Sequence, residues 1–514
     1  MKNNPKAALL IIAIISAMMI LTGCGDGGGT PQPPTEMPSA PSSSPTTTPS
    51  NSTSSSSATS SAASSEPETA NKNQYVTTWS KGTDGIPVMT SYTMNGQPVS
   101  GKLVLPSEGT YKIGEHCFNK NTGITEVVVP EGVIEIQQSA FFGCENIVRV
   151  SLPTTLKSIG TWAFYKNGIT EIEIPEGTTV IEERAFESCS KLTNVRLPET
   201  LQKIGECAFM NAPIENVNIP QSVSTIEKFA FYGMQIKELN IPEGVVSIGD
   251  CAFDNNVIGT SGVIEKISLP STLKSIGDSV FGNCEKIREL HLPDNLESIG
   301  SSVFENTRIT TLRIPERVKN IGDGAFGNNR YLENLTIEGC PTLGTNVFES
   351  CGALKNVTLN SNMTEIADGT FRGCMALNQI ELPSELKRIG NSAFDMCALT
   401  NLKIPSKVTS IGERAFKHAG VKILVLPENI SEIQFESIAY NQELKAVYIP
   451  ANVRKIDMNA FCGCRNLTDI YYSGSETAWN NINIDATGNE VLKKAELHTN
   501  SSPSTMELGL LFLR

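Results

Sequence analysis

The sequence predicts an α/β repeat solenoid of about 16 rungs, with parallel strands on one face and short helical or 3-10 turns on the other. Three recurrences predict it. Proline follows an apolar-x-apolar triplet at positions 106, 130, 153, 175, 198, 220, 242, 270, 293, 315, 383, 405, 427 and 450, with Glu338 and Asn360 holding the same slot. A downstream aliphatic slot is Ile in 15 rungs and Leu343 in one. Five residues later stands Phe in 15 of 16 rungs, from Phe118 to Phe461, with Ile438 as the exception.

Each rung is one supersecondary unit, too short to fold alone. The apolar-x-apolar triplet, such as Ile172-Glu173-Ile174, has period two and β-branched content, so it reads as a short strand. Proline after the triplet ends the strand. The Ile-Gly…Ala-Phe stretch, as at Ile159-Gly160 and Ala163-Phe164, has turn-like apolar spacing and reads as a brief helical or 3-10 turn. Stacked at ~4.8 Å per strand, the rungs build a parallel sheet about 75 Å long. Equivalent Phe residues then overlie one another, which explains why 15 of the chain's 19 Phe fall in one column.

Ahead of the array, Lys2 and Lys6 precede an apolar run from Ala7 to Leu21. That run has the size of a signal-peptide core and is short of the ~20 residues of a membrane span. It ends in Leu21-Thr22-Gly23-Cys24, which resembles the bacterial lipoprotein signal. The resemblance implies that Cys24 is diacylated and becomes the mature N-terminus, anchoring the chain to the cell membrane through lipid. An ordinary secretory signal with an incidental Cys is the alternative. From Gly25 to Ala70, 39 of 46 residues are Gly, Ser, Thr, Pro or Ala, a composition that cannot bury a core and predicts a disordered tether.

The repeat Pro-x-x-Leu-x-x-Ile-Gly-x-x-Ala-Phe-x-x-Cys-x-x-Leu-x-x-Val-x-Leu resembles the BspA-like leucine-rich repeats, also called the Treponema pallidum type. The resemblance covers 106–472. It implies a leucine-rich-repeat solenoid on a bacterial surface protein, connected with adhesion or protein binding. Tyr471-Tyr472-Ser473-Gly474-Ser475-Glu476 with Trp479 is similar to the segment that closes such arrays. The expected organisation is a signal peptide 1–23, Cys24 and tether 24–74, an N-terminal cap 75–105, the solenoid 106–472, and a C-terminal cap and tail 473–514. The apolar stretch 508–514 has no explanation in the repeat.

Composition narrows the function. A net charge of −13 argues against an electrostatic nucleic-acid partner. The four histidines, His116, His291, His418 and His498, are far apart and outside any metal-binding frame. No catalytic residue, cofactor or metal is therefore expected, and the chain is read as a monomeric non-enzyme. Cys144, Cys189, Cys284, Cys351, Cys374, Cys397 and Cys464 occupy the repeat's Cys slot, where a small apolar thiol with a weak S–H donor suits a buried turn. Cys462-Gly463-Cys464 lacks a nearby His and reads as structural.

Function then has to be a surface. The middle residue of each triplet points outward. The expected partner-binding face is Arg196, Asn218, Asn240, His291, Arg313, Lys403, Val425, Tyr448 and Tyr471, with the last three forming an apolar anchor patch unless the closing segment covers it. Its expected partner is an extracellular protein or glycan of host matrix, other cells or cell wall. A structural, envelope-organising spacer is the alternative. Six added residues within 254–262 predict a surface loop, more simply a neutral insertion than a binding element.

Overall fold

Two short strands, not one, form in most of the coils. The computed structural model describes residues 75–254, 262–400 and 402–504. In it the Ile slot is the second residue of a two-residue strand. Ser158–Ile159 pairs in parallel with Glu135–Ile136 on one side and with Val180–Ile181 on the other. This ladder runs unbroken from Tyr75–Lys81 to Thr342–Leu343 and resumes in two further three-stranded pieces. Glycine often follows the Ile because the coils approach closely there: a Cβ on Gly322 would lie 2.4 Å from the backbone nitrogen of Ser301.

The expected helical side is therefore corrected. Helix in the described residues is confined to the closing segment, as Glu476–Asn480, the 3-10 turn Glu490–Lys493 and a last helical pair at 503–504. The Ala-Phe stretch forms turns whose geometry has a simple cause. Residues two before and two after the core Phe have left-handed φ, as at Ser139 (54°) and Gly143 (68°) around Phe141, or Trp162 (54°) and Lys166 (55°) around Phe164. Left-handed residues interrupt an α-helical ladder and turn alternate N–H groups toward the neighbouring coil. Thus the amides of Ser139, Phe141 and Gly143 donate to the carbonyls of Thr161, Ala163 and Tyr165 at 2.9, 2.8 and 2.8 Å.

The count of 16 rungs is also corrected, to a leucine-rich-repeat β-solenoid of about 18 turns. The additional coils come from the two ends. Val88-Met89 pairs in parallel with Lys112-Ile113, and Asn483-Ile484 pairs with Lys455-Ile456. Neither carries the Ile-Gly…Ala-Phe pattern. At the N-terminal end Tyr75–Lys81 runs antiparallel to Pro87–Met94 and covers the first edge of the ladder.

The Phe column forms as expected. From Phe118 to Phe416 successive rings stack with centroids 4.9 to 5.9 Å apart and planes within 19°. Ile438 ends the stack. Close by, between the Ile411 and Ile433 coils, the ladder is also interrupted.

Candidate functional site: the exposed strand face

The pleat separates core from surface on the second, longer set of strands. Ile172 and Ile174 are buried while Glu173 between them is exposed. Arg196, Asn218, Asn240, His291, Arg313 and Lys403 are all exposed on this face, as the alternation requires.

Their chemistry is not uniform, because several partner one another along the stack. Arg196 approaches Glu173 on the preceding coil at 3.7 Å. Arg313 grips Glu338 through two nitrogens at 2.8 and 2.7 Å and reaches Asp294 at 2.7 Å. Lys266 meets Glu238 at 3.0 Å. Neighbouring Asn side chains form rows, with Asn356 donating to Asn334 at 2.8 Å and Asn216 to Asn194 at 3.3 Å. These contacts lie in solvent, where they add little to stability and chiefly set side-chain direction. By contrast, Asn218, Asn240, His291 and Lys403 make no side-chain hydrogen bond or ion pair with the described residues.

The C-terminal end of the face departs from the expected anchor patch. Val425 is half-buried, and Tyr448 and Tyr471 are buried, at 1% and 4% exposure. The strand Glu496–His498 extends the sheet beside Asp469–Tyr472, and the His498 ring stacks on Tyr471 at 4.6 Å. The Tyr448 hydroxyl donates to Glu428 at 2.5 Å, and burial together with this bond pushes its pKa up to about 12. Asp469, Glu496 and His498 form a group of three possible metal ligands on these strands. His498 Nε2 lies 2.9 Å from Asp469 Oδ1, a contact that fastens the closing strand to the array.

One opening on the face lies at the strands of successive coils. The segments 380–382 and 402–404 belong to no sheet, whereas Asn334–Ile337 pairs with Asn356–Leu359 before them, and Ile423–Val425 pairs with Ala446–Ile449 after them. A groove of about 760 Å³ occupies this seam. Its floor and walls include Val357, Ile380, Leu382 and Pro405, and its rim carries Thr358, Glu381 and Lys403. Lys403 was expected on the face. The groove itself had no sequence signal, because strand pairing is not written in the side-chain pattern.

The cysteines of the repeat's Cys slot are buried. Every described Cys is a free thiol. Burial pushes the thiols of Cys144, Cys189, Cys284, Cys351, Cys397 and Cys464 up to about 12, and that of Cys374 well above the usual value. Cys24, most of the 254–262 insertion and the 508–514 stretch lie outside the described residues. Among the described residues no helix is long and apolar enough to cross a membrane.

Comparison with known proteins agrees with this geometry. The family described as "BspA type Leucine rich repeat region (6 copies)" matches residues 111–228, 202–333, 259–378 and 364–482. A leucine-rich repeat protein from Bacteroides ovatus ATCC 8483 is 21% identical and superposes with a TM-score of 0.50, covering 82% of this chain and 98% of that one. A leucine rich cell surface protein from Faecalibacterium prausnitzii A2-165 is 25% identical, with a TM-score of 0.39 and coverage of 80% and 96%. The leucine rich repeat protein of T. pallidum is 22% identical, with a TM-score of 0.20 and coverage of 56% and 91%. No curated protein matches the chain.

Proposed function

Because the chain belongs to the BspA-type leucine-rich-repeat family, we propose that it is an exported, lipid-anchored surface protein whose strand face binds an extracellular protein or glycan. The observation that carries this reading is the groove at Thr358, Glu381 and Lys403 on the exposed strand face. Leucine-rich-repeat solenoids are typically non-enzymatic scaffolds, which agrees with an array that spends its residues on stacking. Adhesion to host matrix, other cells or cell wall is the form of binding we favour. The anchor at Cys24 and the polar tether through 74 would hold the array clear of the membrane.

A spacer role is the second reading. It is favoured by Arg196 and Arg313, which are spent on neighbouring coils. Titrating the purified chain against matrix and cell-wall preparations separates the two. Binding that falls at least ten-fold on Lys403→Glu or Asn218→Arg supports the binding face, and binding that both variants leave unchanged favours the spacer. Cys24→Ala should release the chain from the membrane fraction; if it stays bound, the lipid anchor is wrong.

A further inference from the structure

We infer that the groove at Thr358, Glu381 and Lys403 takes an extended peptide with an acidic side chain, a reading that rests on the strand face being the binding surface. The main chain points to a peptide first. Segments 380–382 and 402–404 lie in no sheet, although the equivalent segments of neighbouring coils pair in parallel. Ile380, Glu381, Leu382 and Lys403 of these segments line the groove, and backbone polar groups outside a ladder need partners. An extended peptide presents alternating donors and acceptors at strand spacing, as in strand addition at an open sheet edge.

Charge gives the second argument. A Glu on one coil followed by a cation on the next closes into an ion pair elsewhere on the face, as Glu173 does with Arg196 and Glu238 with Lys266. Glu381 and Lys403 repeat that pattern, yet no ion pair joins them, and their segments form no strand pair. Both line the groove, and neither forms an ion pair among the described residues. Lys355 also lines the groove but is paired with Glu333 at 3.6 Å, which leaves Lys403 as the cation open to a carboxylate on the ligand.

The walls favour peptide over glycan. Val357, Ile380, Leu382 and Pro405 are aliphatic, and no aromatic ring lines the groove to serve as a platform for a sugar ring. Aliphatic walls beside open main-chain groups suit the alternate side chains of a strand.

Random dodecapeptides displayed on phage and panned on the purified full chain test this. Enriched peptides should carry Asp or Glu at one fixed position and bind at least ten-fold more weakly to Lys403→Glu. N-methylation of alternate amides in those peptides should also weaken binding at least ten-fold. Failure to enrich peptides, equal binding to both proteins, or tolerance of N-methylation overturns the inference. Matrix and cell-wall preparations titrated in parallel separate its failure from that of the broader reading. If they distinguish wild type from Lys403→Glu while peptides do not, the face binds something other than a strand; if nothing does, the binding-face reading falls too.

Discussion

The thiol of Cys144 donates to the carbonyl of Phe118, 26 residues earlier in the chain, across 3.0 Å. The same bond joins Cys189 to Phe164 and Cys464 to Ile438, each at 3.2 Å. Asparagine makes it where Cys is absent, as Asn329 to Phe304 at 2.9 Å. The slot therefore selects a small donor that reaches the coil below. Cys351→Val, which removes the donor to Phe326, should cost about 1 kcal/mol. Cys351→Asn should cost less. Chemical denaturation of the two variants checks the order.

Thiol chemistry should separate core from surface. Cys340 is exposed, whereas Cys351 and Cys397 are buried with pKa values pushed up to about 12. At pH 8, iodoacetamide followed by peptide mass spectrometry should label Cys340 well before either. Stability should also fall in alkali. Below the free thiol's pKa of about 8.5 the folded and unfolded chains both hold the core thiol protons. Above it only the folded chain does, so stability declines as pH rises from there toward about 12. A denaturation midpoint unchanged between pH 8 and 11 would sink this.

Phe281 stacks at 5.9 Å on Phe253 and 5.4 Å on Phe304, in the middle of the ring column. Phe281→Ala should cost about 3–5 kcal/mol. Because each coil touches mainly its neighbours, the damage should be local and split unfolding into two steps. Hydrogen exchange should show lost protection spreading from the 276–304 coils.

Left-handed positions store strain that Gly relieves. Met396 (φ 60°) is half exposed, so Met396→Gly gives up little packing and should stabilise by about 1 kcal/mol. Gly244 (φ 110°) is the reverse case, since a Cβ there would lie 2.2 Å from the carbonyl oxygen of Gln221. Gly244→Ala should destabilise by about 2–3 kcal/mol. Thermal melts of the pair should move in opposite directions.

Tyr448 is a structural residue in this fold. Tyr448→Ala should cost about 3 kcal/mol and Tyr448→Phe, which loses the bond to Glu428, about 1 kcal/mol. Weaker ligand binding by Tyr448→Phe with stability unchanged would return the residue to the binding surface.

The strand triplets, the Phe column and the buried Cys slot were legible because each repeats at one position with one chemistry. The second ladder was not: Ser158-Ile159 is too short to show a period of two. Left-handed geometry was hidden because its occupants include Trp162, Arg184 and Phe229, none of which prefers that region. Val88-Met89 and Asn483-Ile484 escaped the count because they keep the pairing of a coil and drop its motif. Alternation placed Arg196, Asn218, Asn240, His291, Arg313 and Lys403 on the surface correctly. It could not say that Arg196 and Arg313 would be spent on neighbours, nor that the sheet would part beside Lys403, since both depend on distances between coils.

The turn-side amides all aim the same way. Arg184, Phe186 and Ser188 donate forward to Glu206, Ala208 and Met210, as the residues around Phe141 do to the coil after theirs. Repeated up the stack, this gives the array a polarity, with each coil's turn-side amides toward the next coil and its carbonyls toward the one before. Another copy could continue the row only head to tail. Thr487 and Asn489 block that route, because the carbonyl of one and the side-chain oxygen of the other accept from Asn459 and Phe461 at 2.8 and 3.0 Å. The closing segment thus supplies the last Phe-bearing coil with acceptors that a further repeat would otherwise provide.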